Sequence, residues 1–337
     1  TIGLHAADNE RLISVVKKLK GLGNTVLVVE HDPDIILSSD YIVDLGPGPG
    51  REGGEVLFSG SIAKAKKTRI PRSKTFEWLF AGKGKLPTVR KKARPHGEIV
   101  LRGVSEHNLK QIDVSFPIGC LVCVTGVSGS GKSTLVVDVL YRLFSGKGVP
   151  AGHVDFKGME IKGRLDRVLL VDQSPIGATP RSNPITYIKG FSFIREAFAR
   201  QKTSILRRYL PGRFSFNKSG GRCSRCQGMG YRRVEMHFMA DVFVPCEECE
   251  GRRFNRETLA IRYKGKNIAE VLDMTIDEAI LFFDRIPQLG ERLWVLSKVG
   301  LGYLKLGQPS NTLSGGEAQR IKIARELAES RGKNNLY

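Results

Sequence analysis

Two short apolar runs, bounded by polar or glycine residues, stand out in the hydrophobic pattern of this chain. They cover residues 24–30 and 121–125, and runs of this kind predict buried β-strands. Helical patterns precede the first run at residues 10–22 and follow the second at residues 134–143. Residues 99–116 predict an antiparallel part of a sheet. We therefore expect an α/β fold.

A glycine-rich loop joins the second apolar run to its helix and has the phosphate-loop pattern G-x-x-x-x-G-K-S. Its backbone N–H groups and the helix N-terminus can bind the phosphates of ATP, while Lys132 reaches the outer phosphates and the Ser133 hydroxyl completes a Mg²⁺ shell. The alternative is a glycine-serine turn that binds nothing, and the flanking strand and helix argue against it. The predicted ATP-binding residues are Gly126, Ser128, Gly129, Ser130, Gly131, Lys132, Ser133 and Thr134.

A second motif, Leu313-Ser-Gly-Gly-Glu-Ala-Gln-Arg, is followed by a helical pattern and resembles the signature of the ABC ATPase family. Ser314 suits an N-cap, and the helix start then presents N–H groups to an anion. An ordinary serine-capped helix is the alternative. ABC ATPases close two nucleotide domains head to tail, so the resemblance implies that this signature completes the phosphate shell of the opposite ATP. Its residues are Ser314, Gly315, Gly316 and Glu317.

The beginning of the chain resembles a different part of an ABC domain. Residues 1–5 resemble the turn after the Walker B acids, and His31 matches the switch histidine that senses the terminal phosphate and helps orient the attacking water. A structural histidine at a strand end is the alternative. The chain starts where the first Walker B strand would end, and residues 334–337 resemble the start of the next one. We expect a piece of a tandem ABC protein that binds ATP but hydrolyses it weakly or not at all by itself.

Four cysteines form two C-x-x-C pairs, Cys223 with Cys226 and Cys246 with Cys249, separated by 19 residues. This spacing is typical of a closed structural Zn²⁺ site with four thiolate ligands. A glycine two positions after each pair lets backbone N–H groups turn towards the sulfurs. Two disulfides are the alternative. The chain has a phosphate loop and no secretory segment, which favours a reducing, cytoplasmic location.

The residues between the cysteine pairs predict a β-hairpin, because residues 231–244 tend to alternate between apolar and polar side chains. The hairpin would be pinned by zinc, and His237 is not required as a ligand because four thiolates already complete a tetrahedron. The remaining Cys120 and Cys123 lie in the second apolar run and are predicted to be core residues.

The charge indicates a polyanionic partner, since 54 basic residues face 34 acidic ones, a net charge of +20. Residues 61–95 hold 12 basic residues and one acid, and residues 195–233 hold 11 and one. The first stretch also fits a solvated linker. The second stretch mixes basic residues with aromatic side chains that could lie against DNA. Its predicted DNA-binding residues are Arg213, Lys218, Arg222, Arg232 and Arg233.

Further sequence motifs resemble those of the UvrA family, the damage-sensing A subunits of bacterial excinucleases. They include Leu45-Gly-Pro-Gly-Pro-Gly, Val171-Asp-Gln-Ser-Pro-Ile-Gly, Pro211-Gly-Arg-Phe-Ser-Phe and Gly302-Tyr-Leu-Lys-Leu-Gly-Gln-Pro. The resemblance implies nucleotide excision repair by an ATP-dependent homodimer that binds damaged duplex DNA and loads UvrB. Gln173 matches the Q-loop, which would sense Mg²⁺ and the γ-phosphate. Ala178 and residues 194–209 depart from the pattern, so a paralogue in drug resistance stays an alternative.

The predicted architecture is an ABC-type P-loop ATPase core with a mixed helical insertion that carries the zinc hairpin. Its parts are residues 1–60 from a first ATPase domain, 61–97 as a basic linker, 98–175 from a second ATPase domain, 176–310 as the insertion and 311–337 with the signature helix. A transporter subunit would not need the zinc module, and a tandem ABC translation factor would lack the cysteine pairs. A chromosome-cohesion ATPase would show long heptad repeats. No apolar stretch reaches the length of a membrane span.

Overall fold

The computed structural model describes residues 6–80, 94–145, 155–177, 179–234, 236, 242–329 and 334–337, without the side chains of Ala6, Ala7, Ser145 and Arg233. The chain divides into two compact units. The first unit comprises residues 1–170 and 333–337, and the second comprises residues 171–332. Among the described residues, no helix combines the length and the apolar character needed to cross a membrane.

The first unit combines short helices with antiparallel strands. Its helices are α1 (Ala6–Gly21), α2 (Pro33–Ser38), α3 (Ile62–Ala65), α4 (Lys74–Leu79) and α5 (Arg142–Ser145), and a π-helix spans Thr134–Tyr141. Its strands are β1 (Tyr41–Gly46), β2 (Glu55–Ser61), β3 (Gly97–Val104), β4 (Ile112–Ile118), β5 (Gly158–Lys162) and β6 (Arg167–Val168), and β6 pairs in parallel with Asn335–Leu336.

Strands β1 and β2 form an antiparallel hairpin on which α3 and α4 pack. Phe58 and Phe76 are buried with ring centroids 5.0 Å apart, and Ile62 adds to the same cluster. Ser73 caps α4 and donates a hydrogen bond to the buried Asp44 carboxylate. The first twenty residues of the predicted basic linker therefore contain two helices that fold onto this hairpin.

A three-stranded antiparallel sheet has the order β4-β3-β5 and confirms the strands expected near residues 99–116. Ile99 and Leu101 alternate towards a core shared with Phe116, and the π-helix contributes Leu135 and Val139. The helix after the phosphate loop is therefore present, but its first eight residues have π rather than α geometry.

The two strands predicted at residues 24–30 and 121–125 are wrong for this structure. Leu27 and Leu121 are 90% and 101% exposed, and neither run pairs with a strand among the described residues. A strand needs a neighbouring strand that satisfies its backbone N–H and C=O groups, and the described residues supply none for either run. For the same reason Cys120 is only partly buried and Cys123 is exposed, so the prediction that both are core residues is also wrong.

The second unit is mainly helical and has one β-hairpin. Its helices are α6 (Pro184–Tyr187), α7 (Phe191–Ala199), α8 (Lys202–Leu206), α9 (Arg256–Leu259), α10 (Ile268–Leu272), α11 (Ile276–Phe282), α12 (Pro287–Leu296) and α13 (Gly315–Glu329), and the hairpin consists of β7 (Tyr231–Val234) and β8 (Val242–Pro245). Capping boxes begin α6, α10 and α11 at Asn183, Asn267 and Thr275.

The core of the second unit combines aliphatic side chains with a group of buried phenylalanines. The fully buried ones are Phe198, Phe214, Phe216, Phe254 and Phe283. Phe216 stacks on Phe191 with ring centroids 5.0 Å apart. The expectation that Phe214 and Phe216 lie against DNA is therefore wrong, because burial in the core removes both rings from the surface.

Candidate functional site

The phosphate loop is held in shape by glycines that an L-residue could not replace without strain. Gly126, Gly129 and Gly131 have φ values of 146°, 77° and 95°, in the left-handed region that favours glycine. A Cβ on Gly131 would lie 2.9 Å from the Asn108 side-chain oxygen, and Asn108 also donates a 2.9 Å hydrogen bond to the Gly129 carbonyl. The loop therefore has the backbone that the sequence motif requires, and Asn108 supports it.

Two sets of hydrogen bonds show which charged groups the loop backbone binds. The Lys132 ammonium donates to the carbonyls of Gly126 and Val127 at 2.7 and 2.8 Å, which places it over the start of the loop. The backbone N–H of Ser128 donates to a carboxylate oxygen of Asp8 at 3.1 Å. A loop amide thus binds an anionic oxygen, which is the chemistry that a phosphate group would use.

His31 lies in the segment before α2 rather than at the end of a strand. Its side chain is 82% exposed, and Nδ1 is 4.0 Å from the Glu30 carboxylate. The next residue, Asp32, caps α2 through the backbone N–H groups of Asp34 and Ile35. The switch role of His31 stays a prediction.

The signature helix α13 begins with a reciprocal capping arrangement. Glu317 N–H donates to Ser314 Oγ at 3.3 Å, and Ser314 N–H donates to Glu317 Oε2 at 2.8 Å. The Tyr303 hydroxyl donates to Glu317 Oε1 at 2.5 Å, and burial and the Glu317 carboxylate raise the pKa of Tyr303. Ser314 is the N-cap that the sequence predicts. The spacing S-x-x-E was the available signal for the role of Glu317, whereas Tyr303 had none.

The structure brings the Q-loop beside the start of α13. A Cβ on Gly315 would lie 3.4 Å from Cβ of Gln173, so only a small residue fits there. Lys322 forms a short ion pair with Asp172 and donates to Ser174 Oγ at 2.8 Å. The hydrogen bond from Lys322 lowers the pKa of Asp172. Gln173 and the signature residues are predicted separately from the sequence, whereas the Asp172–Lys322 pair that joins the two segments has no sequence signal.

The four predicted zinc ligands form one buried cluster. The sulfurs of Cys223, Cys226, Cys246 and Cys249 lie within 4.8 Å of one another, and no side chain is more than 3% exposed. The Cys226 and Cys249 sulfurs are 3.6 Å apart, and all four thiols are free. A tetrahedral Zn²⁺ with bonds of 2.3 Å needs sulfurs separated by about 3.8 Å. The four side chains therefore fit a structural zinc ion, and no disulfide joins them in this structure.

Backbone N–H groups surround these sulfurs in two equivalent turns, 23 residues apart. Gly230 N–H donates to Cys226 Sγ at 3.3 Å, and the equivalent N–H of Arg253 donates to Cys249 Sγ. Burial raises the pKa of the Cys249 thiol. At Cys246 burial also raises the pKa, but N–H groups of Cys249 and Glu248 outweigh it and lower the value. Such donors stabilise thiolates, the form that binds zinc.

The hairpin joins the two turns and confirms the prediction between the cysteine pairs. Strands β7 and β8 are antiparallel, with Tyr231 opposite Pro245. Cys246 N–H donates to the Gly230 carbonyl at 2.9 Å. His237 lies outside the described residues.

The predicted DNA-binding side chains differ in solvent exposure and in the contacts that they already make. Arg213 is 20% exposed, pairs with Glu257, donates to Thr258 Oγ1 at 3.1 Å and stacks on Tyr209, so the structure assigns it a packing role. Lys218 is exposed and lines an open depression of about 510 Å³ next to Arg208. The other predicted residues are Arg222, which is partly buried, Arg232, which is exposed, and Arg233, whose side chain is not described. Their contact with DNA stays a prediction.

A phosphate loop before a helix, a capped helix that begins at Ser314 and a buried four-cysteine cluster fit the fold class of an ABC-type P-loop ATPase core with a zinc-type insertion. No protein-family model matches the chain. UvrABC system protein A of Methanothermobacter thermautotrophicus is 53% identical over 343 residues, which cover 100% of this chain and 35% of the relative. The Bacillus subtilis protein of that name is 48% identical, again over 100% of this chain and 35% of the relative. The crystal structure of UvrA2 from Deinococcus radiodurans has a TM-score of 0.90 and 46% identity, over 99% of this chain and 40% of that chain.

The chain belongs to the UvrA family. It spans about a third of the length of the curated relatives that it matches.

Proposed function

We propose that this chain serves ATP-dependent recognition of DNA damage in nucleotide excision repair. The observation that carries the proposal is the match of the whole chain, at about half identity, to proteins named UvrABC system protein A. The zinc-type cysteine cluster lies in the same unit as Gln173 and Ser314. The partners in this proposal are damaged duplex DNA, UvrB and a second copy of the protein, and the location is the cytoplasm.

In the ATPase part of the proposal, the loop N–H groups and Lys132 bind the phosphates of ATP, and Ser133 completes the Mg²⁺ shell. The Ser128 N–H, which binds a carboxylate oxygen of Asp8, supports this assignment. Gln173 responds to Mg²⁺ and the γ-phosphate, and His31 orients the attacking water. Ser314, capped by Glu317, presents the start of α13 to the ATP of an opposing domain.

In the zinc part of the proposal, the four clustered thiolates hold the ion, which supplies folding free energy and no catalysis. The hairpin and the turns then keep a fixed shape beside the basic residues. Exposed Lys218 and Arg232 are the best placed of those residues to contact phosphates.

The test is fluorescence anisotropy with a duplex that carries one bulky adduct and with the same duplex undamaged. We expect tighter binding to the adduct, with an affinity that falls steeply as salt rises. Lys218→Glu with Arg232→Glu should weaken binding and flatten the salt slope by about 0.9 for each lost phosphate contact. The matched control is Lys66→Glu with Lys67→Glu in the other basic stretch. If the control loses binding and the first variant does not, the contact surface lies in residues 61–95. If neither duplex binds at low salt with ATP present, the proposal fails.

A paralogue in drug resistance is the second candidate, and the departures from the family pattern at Ala178 and residues 194–209 motivate it. Expression in a strain that lacks its own UvrA separates the two. Rescue of survival after ultraviolet irradiation supports repair. Protection from a DNA-binding drug without that rescue supports the paralogue.

A further inference from the structure

Arg253 is a buried cation beside the cysteine cluster. It is 6% exposed, its Nη2 donates to the Gly307 carbonyl at 3.1 Å, and its guanidinium lies 5.2 Å from the ring centroid of Phe216. Among the described residues no carboxylate pairs with it, and its buried Nη1 has no hydrogen-bond partner. A buried charge without a counter-charge is strongly destabilising, so this residue needs a negative group nearby.

The backbone of Arg253 fixes the side chain next to the sulfurs. Its N–H donates to Cys249 Sγ, and its carbonyl accepts from Cys223 N–H at 2.9 Å. Burial lowers the pKa of Arg253, while the charges of Tyr231, Cys226 and Cys249 oppose that effect. The Arg253 side chain also lies against the turn at Cys226, since a Cβ on Gly230, whose N–H donates to Cys226 Sγ, would be 3.5 Å from Arg253 Nε.

Four thiolates around one Zn²⁺ leave a net charge of about −2 in a buried site. N–H groups from the two turns reduce the cost of that charge but do not neutralise it. We propose that Arg253 is the counter-charge of the zinc–thiolate centre, a positioning residue that keeps the metal bound. The opposite charges of the arginine and of the centre thereby reduce the free-energy cost of burying each of them.

The experiment compares zinc affinity in Arg253→Gln, Arg253→Met and Arg253→Lys by competition with a coloured chelator, after far-UV circular dichroism has established folding. Gln keeps a hydrogen-bond donor without charge, whereas Lys keeps the charge without the planar fork. We expect Gln and Met to weaken zinc binding by roughly 10- to 100-fold, the range typical of groups that support metal ligands, and Lys to stay within a few-fold of the parent. The matched control is Arg256→Met, since Arg256 is exposed three residues away.

Rescue by lysine distinguishes charge from shape. Equal losses for Lys and Gln would show that the guanidinium shape or its contact with Gly307 matters and would overturn the counter-charge role. Parent-like affinity in Gln would also overturn it. If Met does not fold, Gln and Lys still decide the matter, and the thiolate-to-metal absorption of the Co²⁺-substituted protein gives an independent reading of the centre.

Discussion

Gly228 and Gly251 occupy equivalent places after the two cysteine pairs, yet alanine should have very different effects at the two positions. Both have φ in the left-handed region, 84° and 81°. A Cβ on Gly228 would lie 1.9 Å from the Phe216 carbonyl oxygen, whereas a Cβ on Gly251 would have nothing within 4 Å. The two substitutions therefore share a conformational cost and differ in one steric contact.

The conformational cost for an L-residue in this region is about 1–2 kcal/mol, which is the whole expected effect of Gly251→Ala. At Gly228 the backbone must also move by roughly 1 Å or more, because Cβ contacts under 3.0 Å essentially do not occur. Overpacking of this kind adds about 1–3 kcal/mol, so Gly228→Ala should cost about 2–5 kcal/mol in total. The shift falls on the turn that holds Cys226, so zinc should be lost with it.

Urea unfolding followed by far-UV circular dichroism and by release of zinc to a coloured chelator measures both quantities. We expect Gly251→Ala to retain about one zinc per chain and Gly228→Ala to release zinc at much lower urea concentration. Equal destabilisation by the two variants would refute the steric argument, because only the backbone conformation would then matter.

Four further substitutions test the sites. Lys132→Ala should weaken ATP binding by about tenfold or more, measured with a fluorescent nucleotide, and unchanged affinity would contradict the phosphate-loop assignment. Ser314→Ala should destabilise α13 by about 1 kcal/mol in urea unfolding. Tyr303→Phe should reduce the free energy of unfolding by about 1 kcal/mol because Glu317 loses a hydrogen bond. An unchanged free energy of unfolding in either variant would show that the cap is unimportant. Cys246→Ser should abolish stoichiometric zinc in elemental analysis while ATP binding persists, and full zinc content in that variant would remove Cys246 from the ligand set.

The features that could be predicted from the sequence are those that depend on neighbours close along the chain. A C-x-x-C pair, a glycine after it and an N-cap before a helix act over a few residues, and the structure contains the cysteine cluster and the Ser314 cap. The hairpin followed from alternation within one short segment.

The predictions that were wrong, and the contacts that were missed, depend on partners far along the chain. A run such as residues 121–125 is a strand only if other strands pair with it, and none among the described residues does. The ion pair between Arg213 and Glu257 was missed because the two residues are 44 positions apart along the chain. Arg253 was missed for the same reason, since its burial and its contact with Gly307 appear only in the folded unit.

The closeness of Gln173 to Gly315 has a consequence for how the second unit can change. The insertion leaves the Q-loop and returns at the signature helix, and its two ends meet within van der Waals contact, with Lys322 pairing to Asp172 across 150 residues. A segment whose ends are adjacent can be lengthened, shortened or exchanged without pulling apart the elements that flank it. A change in the length of the segment between Gln173 and Gly315 therefore need not separate these two residues, provided that the core which buries Ala318, Ile321 and Ala324 of α13 is kept.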